Sequence, residues 1–204
     1  DVAAFIEQLA AEGGFSGATL IGLNEEVLWS NAFGPANVDE NRPNQTDTKF
    51  NLGSMNKMFT AVAILQLMEL GRLSLDDTIG DLLPSYPNAA VADAVTVHHL
   101  LTHTSGLGDT FTAEFGENPN GYRSNADYLP LFADDPLMFE PGDSFAYSNA
   151  GYVVLGLIIE QVSGTIDFDF SKWIKHLNWK LEGLGKVSLQ SLGLAGTSAN
   201  VKTL

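Results

Sequence analysis

A serine and a lysine stand three residues apart at Ser54 and Lys57, at the head of "FNLGSMNKMFTAVAILQLMEL" (residues 50–70). On a helix that spacing puts both side chains on one face. If the helix begins near Gly53, Ser54 lies at its amino end, where the macrodipole stabilises developing negative charge and free backbone N–H groups point outward. Lys57, one turn inward and partly stripped of water, is then placed to accept the serine proton, the pattern of an activated nucleophile. The pattern is cheap: with 14 serines and seven lysines in 204 residues, chance supplies about half a Ser-x-x-Lys per chain. The plainer reading makes Ser54 a helix N-cap and lets Lys57 snorkel to solvent.

Tyr147 and Asn149, in "YSN", offer a second set of groups. A phenol serves as a general base when cations depress its pKa, and a carboxamide presents both a donor and an acceptor to a substrate carbonyl. The plainer readings are a half-buried aromatic and an N-cap. The same spacing recurs at Tyr86 and Asn88, where Pro87 marks a plain turn. His99 and His103, four apart, could suggest a metal pair, but no glutamate stands between them and no third ligand is evident. Metal is therefore not expected. The acidic pairs Asp76–Asp77 and Asp134–Asp135 raise a glycosidase reading, and adjacent acids read better as solvated surface.

The elements that must position these groups follow from periodicity and turn residues. "DVAAFIEQLAAEGG" has helical spacing and a glycine stop. "SGATLIGL" and "VLWSNAFG" flank "NEE" as a hairpin, and "ANVDENRPNQTDT" reads as a polar surface connection. The segment after Met55 is apolar on nearly every face, which predicts a central buried helix capped by Gly71. "SLDDTIGDLLP" and "TVHHLLTHTSG" predict shorter helices with Ser74 and Thr96 as N-caps. Residues 106 to 141 read as loops with short helices, and "AGYVVLGLIIEQVSG" as a second all-apolar helix closed by Gly164. Strands first and helices after predict an α+β fold.

Three blocks in order, "GSMNKMFTAVAILQLMELGRLSLDDTIGDLLPSYP", "TVHHLLTHTSGL" and "FEPGDSFAYSNAGYVVLGLIIEQVSG", resemble the serine β-lactamase and penicillin-binding protein superfamily. The nearest branch is the class C-like one, with its esterases, D-aminopeptidases and DD-peptidases. The resemblance covers roughly residues 15 to 164. It implies a β-lactamase/transpeptidase-like fold, a helical region plus an antiparallel sheet, with Ser54 acylated, Lys57 accepting its proton and Tyr147 acting as second base. Asn149 would bind the substrate's acyl side and Lys57, and the Ser54 N–H would form half of an oxyanion hole. "HTSG" (103–106) looks structural in this family. The implied activity is serine acyl hydrolysis of a β-lactam, a small ester or a D-amino-acid peptide, without a cofactor. A periplasmic or secreted location also follows from the resemblance, with a cytoplasmic one left open.

The net charge of −15 argues against a nucleic-acid partner, and no apolar run is long enough to span a bilayer. No cysteine is present, which excludes disulfides and thiol catalysis. The chain opens on Asp with no signal-peptide pattern, as a mature secreted form or a trimmed chain would. Charge is uneven: residues 1–164 hold five Lys or Arg against 22 Asp or Glu, and residues 165–204 hold five Lys against three acids. This shift predicts a boundary at Gly164 between a β-lactamase-like region, 1–164, and a divergent tail, 165–204. In that tail "FDFSKWIKHLNWKL" reads as an amphipathic helix and "GKVSLQSLGL" as a possible strand. No Lys-Thr-Gly or His-x-Gly follows, Lys202–Leu204 being "KTL", so the family pattern is expected to be incomplete at the C-terminal end. A non-catalytic binding or scaffold protein keeping the fold is the rival reading. Oligomeric state is not legible in the sequence.

Overall fold

Asp1 opens the first helix by accepting the Ala3 N–H on its carboxylate at 3.0 Å, and α1 runs Val2–Ala11. In this computed structural model residues 1–164 are described, and the expected tail helix, strand and terminal "KTL" lie outside the described residues. Contacts group the described chain into residues 1–50 and residues 51–164.

In the first unit β1 (Gly17–Leu23) and β2 (Glu26–Phe33) pair antiparallel from Gly17 opposite Phe33 to Leu23 opposite Glu26. The two-residue turn between them, Asn24 and Glu25, has φ of 49° and 70°, the left-handed geometry that matches the twist of a tight hairpin. Two further short strands, β3 (Pro35–Asn37) and β4 (Arg42–Pro43), pair where the sequence predicted only a surface connection. Asn44 fixes this corner: its buried amide donates to Phe33 O at 2.9 Å and Pro35 O at 3.2 Å.

The second unit is helical. A 3-10 turn over Gly53–Asn56 leads into α2, Lys57–Glu69. Only one face of α2 is buried, through Thr60, Ala63, Ile64 and Leu67. Met58, Leu65 and Met68 stay exposed, so the expectation of a helix enclosed on every side is corrected: among the described residues its main helical neighbour is α7 (Asn149–Ser163), which covers one face. The predicted glycine stop is present. Gly71, at φ 65°, lets its N–H reach Met68 O and the Arg72 N–H reach Leu67 O, both at 2.9 Å.

The next helix begins later than predicted. α3 is Ile79–Leu82, and its cap is Thr78 rather than Ser74, in a capping box with Asp81. Ser74 instead closes a turn, its N–H bonding Asp77 Oδ2 at 2.7 Å. A short α4, Ala89–Ala94, which the sequence did not suggest, is capped by Asn88. α5, Val97–Leu101, starts at Thr96 as expected. α6 (Ala113–Glu117) and a 3-10 turn over Asn125–Leu131 interrupt the long loop region.

The centre of this unit is α7, which buries Ala150, Gly151, Val154, Leu155, Gly156, Ile158 and Ile159 and ends at Gly164, φ 68°. Its two interior glycines admit close neighbours. Leu100 lies over Gly151, and a Cβ on Gly156 would meet Asn125 Nδ2 at 2.6 Å. Around α7 the core gathers Ile64, Ile79, Val95, Val97, Leu100 and Phe132, all 0–1% exposed. Among the described residues no helix is long and apolar enough to cross a membrane.

Candidate active site

The chain around Ser54 is set by a glycine. Gly53 has φ 53°, a conformation costly for any residue with a Cβ, and its N–H is held by Asn51 Oδ1 at 2.8 Å. Ser54 follows in the 3-10 turn, not in the α-helix proper as predicted, and it does not cap α2: neither the 3-10 turn nor α2 has a side-chain cap. With three residues per turn, positions i and i+3 eclipse, so Lys57 stands directly over Ser54. Lys57 Nζ donates to Ser54 Oγ at 3.3 Å. The lysine is half-buried and turned inward, so the plainer reading, in which it snorkels to solvent, does not hold.

Tyr147 arrives from the other side. Residues 138–146 are fastened along the "HTSG" segment by Met138 N to Gly106 O (2.8 Å), Gly142 N to Thr104 O (2.8 Å) and Ala146 N to His103 O (2.9 Å). His103 adopts φ 58°, stacks its ring on Tyr147 at 4.5 Å between centroids, and accepts the Ser148 N–H on Nδ1 at 3.1 Å. Ser148, not Asn149, caps α7: its Oγ accepts the Gly151 N–H at 3.0 Å and donates to Gly108 O at 2.8 Å. Tyr147 is thereby aimed so that its hydroxyl donates to Ser54 Oγ at 2.6 Å.

Asn149, the first residue of α7, accepts from Lys57 Nζ on Oδ1 at 2.7 Å. Lys57 therefore bridges Ser54 and Asn149, and its ammonium also lies 4.8 Å from the Tyr147 ring centroid and 5.5 Å from that of Tyr152. The four residues singled out from the sequence, Ser54, Lys57, Tyr147 and Asn149, thus come together from positions up to 95 apart in the chain.

Electrostatics here favour a reactive phenol. Partial burial pushes the Tyr147 pKa up, but hydrogen bonding from Lys57 and Ser54 and the nearby Lys57 charge outweigh it, and the hydroxyl sits below its usual value despite an opposing push from Asp109. His103 is shifted down, first by burial and then by Lys57, against an opposing push from the bond to Ser148; the net shift favours the neutral ring, whose Nδ1 accepts the Ser148 N–H.

Asp109 is the neighbour the sequence did not single out. Its carboxylate accepts from Asn149 Nδ2 at 3.0 and 3.3 Å. The residue follows "HTSGLG" in a stretch read only as loop, and nothing local marks a partner 40 residues away. His99 and His103 do not face a common point as a metal pair: His99 Nδ1 accepts the Thr96 N–H at 3.2 Å in the α5 capping box, and His103 Nδ1 holds Ser148. Among the described residues no group of three or more His, Asp or Glu gathers where it could hold a metal ion. Tyr86, the second Tyr-x-Asn tyrosine, is buried beside α4 with its hydroxyl unpartnered and its pKa raised, first by burial and then by Asp134.

Together, this order of elements and this cluster define the β-lactamase/transpeptidase-like class. The chain belongs to the Beta-lactamase family, whose family model matches residues 2–171. It is 37% identical over 170 residues to Penicillin-binding protein 4* of Bacillus subtilis (strain 168), covering 81% of this chain and 37% of that one. Among solved structures, a penicillin-binding protein from Bacillus halodurans matches with 38% identity and a TM-score of 0.69, covering 84% of this chain and 51% of the other. EstCE1, a hydrolase with promiscuous acyltransferase activity, matches with 30% identity and a TM-score of 0.68, covering 89% and 50%. The chain thus spans between about a third and half of the length of these relatives.

Proposed function

We propose that this protein is a serine acyl hydrolase that works through an acyl-enzyme on Ser54, acting on a small ester, a β-lactam or a D-amino-acid amide. The observation that carries the proposal is the convergence of the Tyr147 hydroxyl and the Lys57 ammonium on Ser54 Oγ, at 2.6 and 3.3 Å. In the proposed reaction the Ser54 proton passes not to Lys57, the acceptor the resemblance implies, but to the nearer Tyr147 as a phenolate kept accessible by Lys57, while Oγ attacks the substrate carbonyl carbon. The Ser54 N–H, ahead of the first hydrogen bond of its 3-10 turn (Met55 N to Leu52 O), supplies one donor to the developing oxyanion. As the tetrahedral intermediate collapses, Tyr147 returns the proton to the leaving heteroatom. Water then attacks the acyl ester by the reverse relay and frees Ser54. Asn149 binds the acyl-side polar group and steadies Lys57.

A fluorophosphonate and a fluorescent penicillin, each read by intact mass and peptide mapping, test the proposal. A covalent adduct on Ser54 that is absent in Ser54→Ala is expected; no adduct with either probe overturns it. That outcome would favour the rival reading, a non-catalytic scaffold that keeps the fold.

A further inference from the structure

The Asn149 carboxamide has two ends of nearly equal shape and opposite hydrogen-bonding sense. Lys57 offers only donors, so the oxygen must face it; an amide turned the other way would set NH₂ against an ammonium. On the far side the Asp109 carboxylate offers only acceptors, and it takes Nδ2 at 3.0 and 3.3 Å. The loop bearing Asp109 is itself fastened. Asp109 Oδ1 accepts the Thr110 N–H at 2.6 Å, and Gly108 O accepts the Ser148 hydroxyl at 2.8 Å, beside Asn149 at the start of α7.

We propose that Asp109 is a positioning residue that locks the Asn149 amide with its oxygen on Lys57, completing an Asp109–Asn149–Lys57–Ser54 chain of hydrogen bonds. The proposal rests on the acyl-hydrolase reading for its kinetic consequence only; the amide lock itself is a statement about structure. It assigns the Asn149 donor to the carboxylate in the resting protein, so a substrate carbonyl reaches Nδ2 by sharing it with Asp109. The charge of Asp109 also reaches Tyr147, which is faced by Lys57 from α2, Tyr152 from α7, His103 from the "HTSG" turn and Asp109 from its loop.

Two variants separate orientation from charge. In Asp109→Asn a side-chain oxygen still accepts from Asn149, whereas Asp109→Ala removes the acceptor. Fluorophosphonate labelling of Ser54 is expected to slow roughly 10–100-fold in Asp109→Ala, and about threefold or less in Asp109→Asn. Both variants remove the negative charge, so the acid limb of the labelling rate moves to lower pH in both, an effect that loss of fold would not produce. Independently, the ¹⁵N-labelled side-chain amide of Asn149 gives one downfield, slowly exchanging proton in wild type and Asp109→Asn, and loses it in Asp109→Ala. Wild-type labelling rates and an unchanged amide spectrum in Asp109→Ala would overturn the lock. A wild-type protein that no probe labels would instead overturn the acyl-hydrolase reading, and the amide spectrum would then judge the lock alone.

Discussion

Replacing Gly156 by alanine puts a methyl group where α7 meets Asn125. The new Cβ would lie 2.6 Å from Asn125 Nδ2 and 3.1 Å from its Cγ, and Asn125 is fully buried with its Nδ2 bonded to Glu160 at 2.8 Å. The amide therefore cannot move without breaking a bond to a half-buried carboxylate. Overpacking of this kind costs about 1–3 kcal/mol. Loss of a bond to a charged group adds about 1.5–3 kcal/mol. Alanine's better helix propensity offsets about 1 kcal/mol. The net loss is about 1.5–5 kcal/mol, which for a chain of this size lowers the Tm by roughly 3–20 °C. Circular dichroism melts would measure it, with Asn125→Ala and the double variant completing a cycle. Because the two side chains compete for one space, the double variant should be more stable than the sum of the singles by about 1 kcal/mol or more. A Gly156→Ala protein that melts at or above the wild-type temperature, or a strictly additive cycle, would refute the account of this contact.

Tyr147→Phe keeps the ring on His103 and removes the hydroxyl from Ser54; Ser54 labelling or ester burst rates should fall about 10²–10⁴-fold with little change in melting temperature, and a loss under threefold would remove Tyr147 from the proton path. His103 has its pKa depressed in the folded chain, so the stability it lends is full above the unfolded value of about 6.5 and is lost as pH falls through the lower folded value. Denaturant midpoints should decline over that interval for wild type and less steeply for His103→Phe; parallel curves would refute the role of Nδ1. Glu160 has its pKa raised, chiefly by burial and against the bond from Asn125, so its contribution is lost as pH rises through the raised value. Glu160→Gln, which still accepts from Asn125, should therefore be more stable than wild type at neutral pH and indistinguishable from it at acid pH, and a destabilised variant at pH 7 would contradict this.

Local chemistry was the legible part of the sequence. Gly71, Thr96 and Gly164 stop or start helices where their residue types predict, because a cap depends only on its own turn. Ser74 misled because "SLDDTIGD" contains the capping pattern twice. Ser74 with Asp77 closes a turn, and Thr78 with Asp81 opens the helix, a choice fixed by the tertiary bonds of Ile79 N to Val95 O and Val97 N to Asp77 O. The burial of α2 misled because composition reports how apolar a segment is and says nothing of how many neighbours cover it. At the site, the spacing of Ser54 and Lys57 only raised the idea of a nucleophile; the resemblance of the surrounding blocks was needed to prefer it over a cap and a solvated lysine, as it was for Tyr147 and Asn149. Asp109 was hidden because an aspartate in a loop looks the same whether it meets water or another side chain.

The cluster joins Ser54 to Tyr147 and Lys57 to Asn149, separations of 93 and 92 along the chain. During synthesis at about 5–20 residues per second, the serine would leave the ribosome roughly 5–20 s before the tyrosine. On the proposed mechanism Ser54 stays an ordinary alcohol throughout that interval. A covalent probe added to translating ribosomes would thus ignore every nascent chain still short of its α7 residues, and the first appearance of label would time the docking of α7 onto α2.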